Sequence, residues 1–209
     1  MNSLRSTEEK PLIEWGVAAL ALEGEAVSGD LHVVKPFPNG VLVGVVDGLG
    51  HGDEATIAAR LAVSTLESYC HESVISLVKR CHGALAKTRG VVMSLASFNA
   101  TEGTISWLGV GNVEGLLLRA DPNIVPSHEN VVLRGGVVGY QIAPLRAAVV
   151  SVMPGDILVM ATDGISADFA KSLNLTDAPQ QAADRILANH GKKTDDALVL
   201  VARYLGQKE

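Results

Sequence analysis

The run Val41 to Gly52, reading VLVGVVDGLGHG, constrains this chain more than any other stretch. An apolar, β-rich segment drives into Asp47. A flexible Gly48-Leu49-Gly50 turn follows, then His51, Gly52 and a helical pattern. A strand this apolar needs cover from other elements, and a carboxylate at its end suits the backing of a hard metal ion. The arrangement recurs at Asp163 in ILVMATDG and at Asp195 in TDDALVLV, while Asp30 closes an SGD segment. We read Asp30, Asp47, Asp163 and Asp195 as one metal site.

Asp47 and Asp163 end apolar strands, whereas Asp195 begins one. If the last strand runs antiparallel to the other two, all three carboxylates fall on one edge. Gathering buried carboxylates without cations is costly and raises their pKa values. Oxygen-only donors favour Mg²⁺ or Mn²⁺ over zinc, and no HExxH or CxxC pattern competes. Asp-Gly is also a common turn dipeptide, so any one of these aspartates is ordinary alone. The combination SGD, DGLGHG, ATDG and TDDA, each at a strand edge, points to a site.

Composition sets the frame. The 209 residues fit one domain or one and a half, and 47% apolar content supplies a sizeable core. Net charge is −6 and no basic cluster tracks a groove, which argues against nucleic acid or an anionic membrane as partner. Cys70 and Cys81 are too few for a disulfide framework, so a reducing cytoplasm is the simplest compartment. Cys81 lies on the apolar stripe of an expected helix and reads as a buried, inert thiol. The N-terminus lacks an apolar signal core, and no apolar run approaches a membrane span.

Residues 1–11 are expected to be flexible and residues 12–205 to form one domain. Leu12 to Leu22 reads as a strand, with Ile13, Trp15, Val17 and Ala19 on one face. Leu31–Lys35 and Val41–Val46 are strands, with Asn39-Gly40 between them as a two-residue hairpin turn. That turn places Asp47 opposite His32, with Asp30 about one pair beyond. Helices are expected over Gly52–Tyr69 and Ser73–Thr88. Val91–Phe98, Thr104–Val110 and Val113–Arg119 read as a meander, and 120–130 as a loop. A short strand follows at Val131–Leu133. Ala147–Met153 and Ile157–Ala161 flank Pro154-Gly155 as a hairpin candidate. Helical stretches at Ile165–Leu173 and Pro179–Asn189 precede a last strand, Ala197–Tyr204. The order implies an α+β fold, antiparallel sheets packed together with helices outside.

The four aspartate motifs resemble those of the PPM metal-dependent protein Ser/Thr phosphatases, in the branch containing SpoIIE, RsbU and RsbX. The resemblance spans essentially residues 12–205. The chain's shortness and the VGNVEG segment, Val110 to Gly115, are most similar to the RsbX type. The resemblance implies a β-sandwich flanked by α-helices and two Mn²⁺ or Mg²⁺ ions. It implies that Asp47 bridges both ions and that the Gly48 carbonyl joins the second. Asp163 and Asp195 hold the first, and Asp30 reaches the second. Asp196 matches a position often occupied by Asn and ranks below Asp195. His51 is a candidate general acid. Many eukaryotic members carry a phosphate-binding Arg near the first strand; LIEWGVAALAL has none, which leaves the metals as the main phosphate holders. Arg134 and Arg146 are weaker substrate-contact candidates.

The implied function is phosphoserine/phosphothreonine protein phosphatase. The implied partners are phosphorylated STAS-domain stressosome proteins of the RsbR and RsbS types. Two alternatives stay open: an RsbU-like or SpoIIE-like phosphatase of a small anti-sigma-factor antagonist, and a pseudophosphatase that binds without chemistry.

Overall fold

The computed structural model describes residues 11–25 and 27–206. The flexibility expected for residues 1–11 falls almost wholly on residues outside that range. In chain order the elements are β1 (Ile13–Leu20), β2 (Asp30–Phe37), β3 (Gly40–Gly48), α1 (Asp53–Ser68), α2 (Val74–Ala84), β4 (Val91–Asn99), β5 (Thr104–Val110) and β6 (Glu114–Leu118). Short strands follow: β7 (His128–Asn130), β8 (Leu133–Arg134), β9 (Gly136–Val137), β10 (Gln141–Ile142) and β11 (Ala148–Ser151). The chain then runs through β12 (Ile157–Ala161), a 3₁₀ turn (Phe169–Ser172), α3 (Pro179–His190) and β13 (Ala197–Tyr204).

Two sheets stack face to face. One has the order β1-β13-β12-β6-β7, the other β11-β5-β4-β3-β2, with β8 added beside β5. The expected α+β sandwich of antiparallel sheets with outer helices is what forms. The continuous apolar runs have a direct cause, since the central strands are buried on both faces. On β3, Val41, Val43 and Val45 fill the space between the sheets, while Leu42 and Val46 pack under α1 and α2. On β13, Leu198, Leu200 and Ala202 face the other sheet, and Ala197, Val199 and Val201 face α3. Helix α1 meets its sheet with Ala55, Ala58, Ala59 and Ala62, all fully buried, and such small side chains let the helix backbone come close. No helix among the described residues is long and apolar enough to cross a membrane.

Several expectations are corrected. The β2–β3 register is shifted: Phe37 pairs with Gly40, and Asp30 lies directly opposite Asp47, with His32 opposite Val45. The turn is therefore Pro38-Asn39, with Asn39 at φ +62°. A closing pair at Pro38 would need an N–H that proline lacks, and proline's fixed negative φ followed by positive φ suits a type II turn. The three-strand meander is broken after β5, because β6 pairs with β12 and β7 in the other sheet. Nor do β11 and β12 form a hairpin: β11 pairs with β5 and β12 with β13 and β6, so the chain changes sheets at Pro154-Gly155. The 120–130 loop ends in strand β7, and the strand expected at Val131–Leu133 is displaced to Leu133–Arg134, parallel to β5. The helix expected at Ile165–Leu173 shrinks to the 3₁₀ turn, since Ile165 is held in a β-bridge with Gly191.

Candidate active site

Every one of the acidic motifs reaches the same open end of the sandwich. Strand alternation carries the inter-sheet face of β3 from Val45 to Asp47, and the antiparallel pairing sets Asp30 across from it on β2. Like charges directly opposite on a sheet repel, so this pair is costly unless something of opposite charge sits against it. From the other sheet, Thr162 follows the last residue of β12. Its hydroxyl donates to Asp30 Oδ2 at 2.7 Å and accepts from the Leu198 N–H at 2.9 Å. Thr162 thus stitches the two sheets together at the foot of Asp30.

Asp163, exposed and one residue on, accepts from Asn112 Nδ2 at 2.7 Å. Asp195 and Asp196 precede β13 and differ sharply. Asp196 is buried, and its two oxygens accept from the Leu22 and Gly29 N–H groups at 2.8 and 2.7 Å. It ties the β1–β2 loop to the start of β13. Asp195 stays exposed, with one oxygen accepting from the Asp196 N–H at 2.9 Å.

The two Asp-Gly pairs owe their glycines to crowding rather than to turn formation. Gly48 lies within β3, and a Cβ there would stand 2.3 Å from the Ala55 carbonyl oxygen of α1. A Cβ on Gly164 would stand 1.9 Å from the Asp196 carbonyl oxygen. Both glycines let an aspartate-bearing backbone press against its neighbour. The expected flexible turn begins later, at Gly50 with φ +85°.

The electrostatics match a site short of positive charge. Burial above all, then the fields of Asp30, Asp163, Asp195 and Asp196, pushes Asp47 up to about 8. Burial likewise lifts Asp30 to about 7, against the lowering hydrogen bond from Thr162 and with added push from Asp196, Asp163 and Asp195. Asp163 is raised by burial and by Asp195, partly offset by Lys192 and Asn112. The groups share a field rather than a closed cage: no three His, Cys, Asp or Glu side chains among the described residues already converge as ligands. The donor set is all oxygen, and no hydrogen bond among the described residues reaches the Asp47 carboxylate. That chemistry fits hard divalent cations.

His51 is exposed at the entrance to α1, its Nδ1 2.7 Å from Glu25 Oε1. Arg146 is exposed and Arg134 half-buried on β8. Thr162, Asn112 and Lys192 were given no role from the sequence. Thr162 stands in ATDG, beside Asp163 but on the opposite strand face, a position that alternation could have flagged. Cys70 and Cys81 are both buried, and burial pushes the Cys81 thiol up to about 12, as an inert core thiol requires.

Comparison with known proteins shows the family and the fold. The profile of the family Stage II sporulation protein E (SpoIIE) matches residues 38–205. The chain belongs to the SpoIIE family. Its fold is that of the PPM-type phosphatase domains. A curated relative, phosphoserine phosphatase RsbX of Bacillus subtilis, is 31% identical over 110 residues, spanning 53% of this chain and 55% of that protein. The chain thus aligns with about half the length of that relative. A solved structure from work on the bacterial stressosome, as a modular system adapted to control secondary messenger signaling, is 30% identical. It superposes with TM-score 0.84 over 91% of this chain and 99% of its own. RsbX solved in complex with magnesium superposes with TM-score 0.80 at 23% identity, over 94% of this chain and 98% of its own.

Proposed function

We propose that residues 12–205 form one metal-dependent phosphatase domain acting on phosphoserine or phosphothreonine in proteins. The observation that carries this reading is the direct Asp30–Asp47 pairing across β2 and β3. It is a like-charge pair, Asp30 buried and Asp47 half-buried, with further carboxylates close by and short of cationic partners. Asp47, Asp30, Asp163 and Asp195, with the Gly48 carbonyl, are the oxygen donors that would hold Mn²⁺ or Mg²⁺, and Asp47 is the one we assign as shared between two such ions. Such ions, when bound, supply Lewis-acid charge for the phosphoryl oxygens and acidify water for attack on phosphorus. RsbX has been solved with magnesium, and a more distant neighbour of the same fold, the phosphatase PstP, with two manganese ions.

The chain's own residues do the positioning. Thr162 fixes the Asp30 carboxylate, and Asn112 fixes one oxygen of Asp163. Asp196 is consumed by backbone donors and locks the loop before Asp30, which leaves Asp195 as the carboxylate with oxygen to spare. His51, held at Nδ1 by Glu25, is the group we assign to protonate the leaving serine or threonine oxygen. Water adds to phosphorus, the P–O(Ser) bond breaks, and inorganic phosphate and the free hydroxyl are released.

For substrate we infer phosphorylated STAS-domain scaffold proteins of the stressosome, RsbR and RsbS types, in the cytoplasm. The similarity to RsbX and to a stressosome-related structure supports this. The test is phosphate release from purified phospho-RsbR, phospho-RsbS and a phosphorylated anti-sigma-factor antagonist, with Mn²⁺, Mg²⁺ and chelator compared. Release from the scaffold proteins in the presence of metal is expected. Preference for the antagonist would move the chain to the RsbU-like reading, and no release from any would favour a binding module.

A further inference from the structure

Lys192, in the loop between α3 and β13, brings an ammonium to the acidic edge. Its backbone N–H donates to the Gly164 carbonyl at 2.7 Å, and its Nζ donates to the Asp163 carbonyl at 2.6 Å. Both ends of the residue are therefore fixed on the Asp163-Gly164 segment. The acceptor of Nζ is neutral, and among the described residues no carboxylate oxygen lies within ion-pair distance of this ammonium, although its charge acts on Asp163. Arg89, a further cation near the edge, is occupied: it forms an ion pair with Glu54 and packs against Gly50.

Charge balance gives this difference a consequence. Asp30, Asp47, Asp163 and Asp195 would neutralise two divalent cations, and Asp196 adds a further negative charge beside them. Without Lys192, a phosphomonoester dianion would then arrive at an edge already net negative. An ammonium with three donors and one neutral acceptor has two N–H groups left to offer. A charge-assisted hydrogen bond to a phosphoryl oxygen is the strong kind.

We propose that Lys192 is a substrate-binding residue that donates to the phosphoryl oxygens of the incoming phosphoserine and of departing inorganic phosphate. This rests on the phosphatase reading above. Lys192→Gln removes the charge yet keeps a donor for the Asp163 carbonyl, and Lys192→Arg keeps the charge. With Mn²⁺ saturating, Lys192→Gln is expected to raise both KM for a phosphoprotein and the inhibition constant of inorganic phosphate roughly tenfold. Mn²⁺ affinity by calorimetry should stay within about twofold of wild type, and Lys192→Arg should restore most of the loss. Unchanged KM and phosphate inhibition would overturn the proposal. So would a variant whose defect is weaker Mn²⁺ binding alone, which would make Lys192 a tether for Asp163. Calorimetric titration of inorganic phosphate into the Mn²⁺-loaded protein tests the same residue without turnover. A wild type that binds phosphate through Lys192 but releases none from phosphoproteins would thus sink the phosphatase reading and leave this site standing.

Discussion

Strand β12 is bracketed by two aspartates that live in opposite worlds. Asp156, just before it, is almost fully buried, yet everything around it donates. The Ala120 and Met153 N–H groups lie at 2.8 and 3.1 Å and the Arg119 guanidinium at 3.0 Å, with Arg119 also bridging to Glu129. At the far end, the Asp163 segment opens onto buried Asp30 and half-buried Asp47, whose charged neighbours are other acids. One end spends its carboxylate on holding the crossing between sheets together. The other keeps carboxylates uncompensated, an arrangement that favours an external cation. Burial of an acid therefore does not distinguish scaffold from site; the sign of what surrounds it does.

Removing the charge at each end should separate the two roles. Asp47→Asn is expected to abolish Mn²⁺-dependent phosphate release, a loss of about a thousandfold or more, since several kcal/mol of charge stabilisation depend on the ions it would hold. Its metal-free thermal midpoint should not fall, because one member of a repelling pair is gone. Asp156→Ala should do the reverse. It leaves Arg119 with Glu129 as its one carboxylate and strands two backbone donors, costing about 3 kcal/mol in urea unfolding, while turnover per folded molecule holds. If Asp156→Ala were the inactive variant and Asp47→Asn the unstable one, the contrast between the two ends would be broken.

The acidic end also dictates a pH trend. Asp30 and Asp47 rise from 3.8 to about 7 and about 8, with burial as the first cause of each. Between roughly pH 4 and these values the folded protein keeps protons that the unfolded chain has lost. The unfolded state then binds fewer protons, so stability of the metal-free protein falls as pH rises, by about 1.4 kcal/mol per pH unit for each proton so held. Urea unfolding in chelator at pH 5, 6, 7 and 8 should show the decline, and saturating Mn²⁺ should remove it. A metal-free protein that gains stability over that range would show that these carboxylates are not the strained groups of the fold.

The sequence carried the strands and the acids but not the sheet that each strand joins. Val41–Val46 and Ala197–Tyr204 were legible because burial on both faces leaves a long apolar run, interrupted in the second only at Arg203. The partners of β6 and β12 were not legible, because nothing local distinguishes a hairpin turn from a crossing between stacked sheets. Gly111-Asn112 and Pro154-Gly155 read as tight turns in either case. The Asp30–Asp47 register hung on one proline, whose missing N–H moves the turn by a residue. Of the site's neighbours, Thr162 and Asn112 are small polar residues inside recognisable motifs. Their roles depend on which atoms lie across the sheet seam, which spacing along the chain does not encode.

The smallest effect expected here is also the most discriminating within the site. Asp195 and Asp196 are adjacent, identical in type and on one loop, so sequence ranks them only by resemblance. Their bonding separates them. Asp196 uses both oxygens on the Leu22 and Gly29 N–H groups, whereas Asp195 gives one oxygen to its neighbour's N–H and keeps the other exposed. An asparagine at 196 retains one acceptor oxygen but turns its amide toward a second N–H. Asp196→Asn should therefore cost about 1–2 kcal/mol of stability and leave Mn²⁺ affinity near wild type. Asp195→Asn should leave stability nearly unchanged and weaken Mn²⁺ binding at least roughly tenfold, as loss of a charged oxygen donor does. Calorimetric Mn²⁺ titrations beside urea curves for both variants decide the matter. A reversal, with Asp196→Asn losing metal and Asp195→Asn losing stability, would mean that the Leu22 and Gly29 amides hold a ligand in place rather than a loop.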